Sequence, residues 1–141
     1  NLEAFLSLPH SGTKVIVGDG PIREKLQRDY PQAVFLGYRS GAALAEAYAN
    51  ADVFVFPSKT DTFGLVLIEA LACGVPVAAY PVVGPIDIVT APNIGCLHED
   101  LGTAVTNALA QSNSQACLEH GRLFTWERCT TQLEASFVPF R

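Results

Sequence analysis

The segment from Asp52 to Ala79 reads as strand, loop, helix, turn, strand. It runs Asp52-Val53-Phe54-Val55-Phe56-Pro57, then Ser58 to Gly64, then Leu65-Val66-Leu67-Ile68-Glu69-Ala70-Leu71-Ala72-Cys73, then Gly74-Val75-Pro76-Val77-Ala78-Ala79. The first run is apolar on both faces and rich in β-branched and aromatic side chains, which places it in the middle of a parallel sheet covered on both sides. Leu65, Leu67, Ile68, Leu71 and Ala72 form a wide apolar helical stripe, and Gly74 is its stop. Proline is tolerated at the start of the strand that follows.

The theme repeats in both directions. Upstream, the strand Lys14-Val15-Ile16-Val17 runs into Gly18-Asp19-Gly20-Pro21, and a polar helix from Ile22 to Asp29 follows with Pro21 at its first turn. Ala33-Val34-Phe35-Leu36, closed by Gly37, is a second strand, and the Ala-rich run Ala42 to Asn50 is a good helix former. Downstream come a short helix from Pro85 to Val89, a short strand Gly95-Cys96-Leu97-His98, and a helix marked by Leu101, Val105, Ala108 and Leu109. Ser114 to Val138 is helical, with a break near Gly121 and a stop at Pro139. Strands alternating with helices in this way predict an α/β fold, a doubly wound parallel sheet in a single domain over residues 1–141.

Composition removes several classes of function. Hydrophobic residues are 49% and charged residues 16%, with mean hydropathy +0.24, which excludes disorder. A chain of this length buries roughly 70% of its unfolded surface and needs no metal or disulfide staple. The net charge is -5 and the basic residues are scattered, which argues against a nucleic-acid partner. No apolar run approaches the ~20 residues of a membrane helix. Cys73, Cys96, Cys117 and Cys129 form no C-x-x-C pair, and His10, His98 and His120 stand at no metal-ligand spacing from them. The expectation is buried thiols in a reduced cytosolic chain. The chain has no Met and opens on the helical pattern Asn1-Leu2-Glu3-Ala4-Phe5-Leu6, so it is expected to be a piece of a longer polypeptide.

Ligands of open parallel sheets bind beyond the carboxyl ends of the strands. The residues there are Gly18-Asp19-Gly20, Gly37-Tyr38-Arg39, Ser58 to Gly64 and Tyr80 to Gly84. Gly18-x-Gly20 begins a dinucleotide fingerprint, but its sixth position is Arg23 rather than Gly or Ala, so a tight strand-to-helix turn and a phosphate loop both remain open. Neither a P-loop nor a G-x-S-x-G elbow is present. Ser58 to Leu65 is more informative: a Gly-containing loop at a helix N-terminus offers unpaired N–H groups and a positive dipole end, which suit a diphosphate. Asp61 is either a helix cap or a ligand contact. Glu69 is either part of a solvated outer face or an acceptor for sugar hydroxyls.

The stretch Asp61-Thr62-Phe63-Gly64-Leu65-Val66-Leu67-Ile68-Glu69-Ala70-Leu71-Ala72-Cys73-Gly74-Val75-Pro76-Val77 resembles the signature of retaining glycosyltransferases of family 4, which have the GT-B fold. Its hallmark is an acidic residue, seven others and then Glu, here Asp61 and Glu69, followed by Ala and a Gly-x-Pro-Val strand. Val17-Gly18-Asp19-Gly20-Pro21, Phe35-Leu36-Gly37-Tyr38 and Ala51 to Ser58 fit in order. Tyr80-Pro81-Val82-Val83-Gly84-Pro85-Ile86-Asp87 is similar to a bacterial subgroup of hexosyl- or mannosyltransferases, and Phe124-Thr125-Trp126 resembles the family's Phe-x-Trp turn. The resemblance covers roughly residues 1 to 135. It implies the Rossmann-like C-terminal half of a GT-B fold, the half that binds the donor nucleotide.

The implied chemistry is transfer of a hexose, mannose or glucose, from a nucleotide-sugar to an acceptor hydroxyl with retention. Glu69 would accept from the ribose hydroxyls, and Asp61, where the family usually has Glu, would contact hydroxyls of the transferred sugar. The N–H groups of Phe63, Gly64 and Leu65 would hold sugar and diphosphate oxygens. Tyr38 and Arg39 lie where the base is gripped, and Gly18 lets the chain pass close to the donor. No metal and no cofactor are implied, because the helix dipole and basic side chains offset the leaving diphosphate's charge. The implied place is the cytoplasm, with any contact to the inner membrane made through the missing half.

Departures from the pattern shape the remaining expectations. Asp61 reaches about one methylene less than Glu. The family's Arg and Lys on the diphosphate precede the segment where this chain begins, and neither Lys14 nor Lys59 matches them. The family's first strand and its N-terminal, acceptor-binding domain are likewise absent, so the fragment alone is expected to be inactive. Loss of that strand predicts a gap between the Lys14 and Asp52 strands, which either pair directly or await another chain. Leu133, Phe137, Val138 and Phe140 either pack as an ordinary terminal helix or form an exposed patch that drives self-association. The alternative to an enzyme half is a non-catalytic nucleotide- or protein-binding α/β module. A sugar-nucleotide epimerase shares the fold but needs catalytic residues not found here.

Overall fold

The computed structural model describes residues 1–137 of the 141, so the expectations that fall on Val138, Pro139 and Phe140 lie outside the described residues. The elements in chain order are α1 (Leu2–Leu6), β1 (Val15–Val17), α2 (Arg23–Asp29), β2 (Val34–Gly37), α3 (Gly41–Ala49), β3 (Phe54–Phe56) and α4 (Leu65–Ala72). They continue with β4 (Val77–Ala79), α5 (Pro85–Ile88), β5 (Gly95–Leu97), α6 (Leu101–Gln111), α7 (Ser114–Gly121) and α8 (Trp126–Ala135). The α/β alternation read from the sequence is therefore present throughout, including the break after Gly121.

Every strand pair is parallel, but the strands form two sheets. β1 pairs β2, with Val15 opposite Val34, and β3, β4 and β5 form the second sheet in that order. Among the described residues no strand pairing joins β1 to β3, so those two strands stand apart rather than pairing directly.

The larger sheet explains its own sequence. Val77 and Ala79 of β4 belong to one apolar cluster with Leu67, Leu71 and Ile88, whereas Ala78 between them belongs to another with Ala104, Val105 and Ala108. The alternation of a strand thus sends neighbouring residues to opposite faces, and both faces are covered. Phe54 and Phe56 of β3 join the first cluster, and Val53 and Val55 the second. One expectation needs correction here. The Asp52–Pro57 run is not mid-sheet: β3 lies at the edge and is half-buried, while β4, equally short and with smaller side chains, is the central strand and is wholly buried. A strand's rank in the sheet depends on how many neighbours pair with it, which its own side chains do not reveal.

The helices are fixed by caps and by close contact. Asp100, Asn113 and Thr125 accept from the N–H groups of Thr103, Ala116 and Arg128, starting α6, α7 and α8. Helix α7 packs on α4 at Gly121, where a Cβ would lie 2.6 Å from the Ala72 backbone nitrogen. The last helix is different: Trp126, Leu133 and Phe137 are exposed, so the packed terminal helix is not what forms. The thiols also divide, with Cys117 buried, Cys73 and Cys96 half-buried, and Cys129 exposed, which corrects the expectation that all four are buried. All four are free.

Gly121→Ala forces α7 away from α4 and is expected to destabilise the chain by about 1–3 kcal/mol, the usual cost of overpacking. Urea denaturation followed by circular dichroism measures it, and an unchanged midpoint would contradict the close helix contact.

Candidate functional site

The loop between β3 and α4 is where sequence and geometry converge. Helix α4 starts after Gly64, whose φ is +83° and which offers no side chain to cap the helix. Asp61 does not cap α4 either. Its Oδ1 accepts from the Thr62 N–H at 2.8 Å, one residue along, because the left-handed turn at Gly64 occupies the cap position. Its Oδ2 is buried and has no hydrogen-bond partner among the described residues.

That oxygen lies against two glycines. A Cβ at Gly64 would sit 3.1 Å from it and a Cβ at Gly84 3.2 Å from it. Gly84, with φ +92°, precedes the Pro85 helix and brings the Tyr80–Gly84 loop against Asp61 and Phe63. Two of the four loops singled out at the strand ends are thereby assembled around one unpaired carboxylate oxygen. Beside them the residues Phe63 and Leu65 are exposed.

Glu69 lies one helical turn further along α4 and is exposed. Its Oε2 accepts from the Tyr48 hydroxyl at 3.0 Å, across from α3. Burial and the Glu69 carboxylate push that hydroxyl well above its ordinary value. Burial, with Glu69 adding to it, also raises the Cys73 thiol. Glu69 is therefore on a solvated face, and the hydroxyl it accepts from within the chain is that of Tyr48. Tyr48 escaped the sequence reading because it stands in an Ala-rich helix where an aromatic reads as core.

The remaining named residues sit on the smaller sheet. A Cβ at Gly18 would meet no atom within 4 Å, leaving the space beside it open. Tyr38 is 72% exposed and its carbonyl accepts from Arg39 Nη1 at 3.0 Å. Arg23, which broke the dinucleotide fingerprint, has a structural use: it donates to Asp19 at 2.9 Å and lies over Gly37. It thus ties the turn after β1 to the end of β2, which favours the reading of Gly18–Pro21 as a braced strand-to-helix turn. Lys14 donates to the carbonyls of Leu6 and Leu8 at the end of α1, and Lys59 stacks 5.2 Å from the Tyr80 ring centroid. Among the described residues no group of three or more His, Cys, Asp or Glu side chains could hold a metal ion, and no helix is long and apolar enough to cross a membrane.

Comparison with known proteins bears on the family and the fold. The family described as glycosyl transferases group 1 matches residues 2–113. A GDP-mannose-dependent alpha-mannosyltransferase of Mycolicibacterium smegmatis is 48% identical over 103 residues, covering 69% of this chain and 28% of the relative. The sulfoquinovosyl transferase SQD2 of Arabidopsis thaliana is 45% identical over 132 residues, covering 83% of this chain and 26% of that protein. Among solved structures, a sucrose-phosphate synthase from Thermosynechococcus elongatus superposes with a TM-score of 0.72 at 29% identity, over 95% of this chain and 39% of that one. The chain thus spans well under half the length of each. The fold is the Rossmann-like α/β unit of GT-B glycosyltransferases.

Gly84→Ala forces a side chain into a sparsely populated backbone conformation and against Asp61, at an expected cost of about 1–3 kcal/mol. Gly20→Ala, where a Cβ meets nothing within 4 Å and φ is ordinary, is the control and should stay within about 0.5 kcal/mol. Chemical denaturation of the two variants side by side distinguishes them. Equal midpoints would contradict the packing of the two loops.

Proposed function

This chain belongs to the glycosyl transferases group 1 family, and from that premise we propose that it is the donor-binding half of a retaining hexosyltransferase whose donor is GDP-mannose. The observation that carries the reading is the buried, unpaired Oδ2 of Asp61 at the start of α4. A buried acceptor left without a partner costs about 1–3 kcal/mol. A sugar hydroxyl donating to Oδ2 removes that cost, which supports a hydroxyl-bearing donor at this loop.

The other roles follow from position. The open N-terminus of α4, with the N–H groups of Phe63, Gly64 and Leu65, receives the diphosphate, whose charge the helix dipole favours. Glu69 accepts from the ribose hydroxyls. Tyr38 and Arg39 grip the base, and the open space at Gly18 admits the donor backbone. Asp61 and Glu69 are the catalytic pair in the sense that both touch the donor, while the leaving phosphate assists deprotonation of the acceptor. In this reading no metal and no cofactor take part. An acceptor-binding N-terminal domain of the same polypeptide completes the cleft, so the 141 residues alone do not turn over. The work is done in the cytoplasm, with any approach to the inner membrane made through that other domain.

The donor names of the mannosyltransferase relatives favour guanine as the base. The test is a thermal-shift panel with millimolar GDP, UDP and ADP, and then GDP-mannose. A ligand at 100 times its dissociation constant adds about 2.7 kcal/mol. GDP should raise the midpoint, UDP and ADP should not, and GDP-mannose should add to the GDP shift. Asp61→Ala should keep the GDP shift, lose the increment from mannose, and leave the unliganded midpoint equal or higher. Equal shifts with all three nucleotides, or none, would overturn the donor assignment.

A further inference from the structure

We infer that Tyr48 is a positioning residue for the donor ribose: its hydroxyl holds the Glu69 carboxylate in the orientation that reads the 2′ and 3′ hydroxyls. This rests on the assignment of Glu69 to the ribose made above.

The argument starts from an asymmetry between the two partners. Tyr48 is anchored. Its ring packs edge-on against Phe54, with centroids 5.5 Å apart, and lies against the same apolar cluster that buries β4. Glu69 is exposed and, apart from Tyr48, makes no side-chain hydrogen bond or ion pair among the described residues. An exposed Glu has several rotamers of similar energy, and a ligand that binds it must freeze them. The 3.0 Å bond from a half-buried ring packed against the core selects one of these rotamers in advance. A carboxylate has two oxygens and about four acceptor sites, so Tyr48 occupies one of them and leaves the rest for a cis-diol. Burial and the carboxylate raise the phenol well above its ordinary value, so it stays a donor through neutral pH.

The same contact adds a side-chain bond between two helices that already pack together. Tyr48 lies in the last turn of α3, and Glu69 is in the middle of α4. Cys73 lies one turn further along α4, and its thiol is raised by burial and by the same carboxylate. No positive side chain is bonded to Glu69, so the phenol is its sole partner among the described residues and its removal leaves the carboxylate unoriented rather than re-paired.

The test measures dissociation constants for GDP and 2′,3′-dideoxy-GDP on the whole polypeptide, for the wild type, Tyr48→Phe and Glu69→Gln, with the UDP and ADP pairs run alongside. The wild type should prefer the ribonucleotide. Tyr48→Phe keeps the ring and its packing, so the affinity for the dideoxy form should not change. The affinity for the ribose form should fall about 3- to 10-fold, the cost of immobilising one free side chain. Glu69→Gln should erase the preference altogether. If Tyr48→Phe weakens both nucleotides equally, or leaves their ratio intact while Glu69→Gln erases it, the positioning role is wrong and the Glu69 assignment survives. If Glu69→Gln leaves the ratio intact, or the wild type shows no preference for ribose, the Glu69 assignment fails and the role of Tyr48 falls with it.

Discussion

The two-sided burial of β4 is the constraint on which the larger sheet depends. Val77, Ala78 and Ala79 are completely inaccessible, which requires a helix on each face and a paired strand at each edge. Helices α4 and α7 meet on one side and α6 closes the other. Small residues make this close approach feasible. Ala78 and Ala79 let the covering helices come near, Gly95 lies directly against the Val77 backbone, and Gly121 brings α7 down onto α4. Once α4 is held in this way, its N-terminus can point only toward the carboxyl ends of the strands, and the Asp61 loop goes with it.

Much of this was legible in the sequence for a simple reason: alternating strands and apolar helical stripes are local patterns, and burial enforces them. The run Leu65 to Cys73 and the run Asp52 to Pro57 could hardly be read otherwise. Less legible was everything that depends on which segments meet. The edge position of β3 follows from pairing, which its own sequence does not encode. Asp61 could be read as a cap or as a ligand contact, and the choice turns on the left-handed Gly64, which sits between it and the helix and takes the cap position. Arg23 read only as a flaw in a fingerprint, whereas it bridges Asp19 and the end of β2.

The carboxylates Asp61 and Glu69 illustrate two ways a fold can fix an acidic group in place. Asp61 is placed by backbone: a short side chain, a left-handed turn and a second loop at Gly84 confine one oxygen without satisfying it. Glu69 is placed by a neighbour, because it is long, exposed and free to rotate until the Tyr48 phenol fixes it. A shorter acid suits the confined position and a longer one the solvent-facing position. The shortened acidic residue at 61 is therefore consistent with the tight space between Gly64 and Gly84.

The division of the strands into two sheets has a consequence for how this chain comes apart. A backbone ladder transmits cooperativity, and among the described residues none runs from β1 to β3. The unit of β1, β2 and their helices can open while β3, β4 and β5 stay closed, so amide exchange in the first unit need not await global unfolding. Protection should be deepest at Val77–Ala79 and shallower at Val15–Val17, where alternate residues already face water. A ligand that touches both Gly18 and Gly64 would then act as a crosspiece between the two sheets and would merge their opening into one cooperative event.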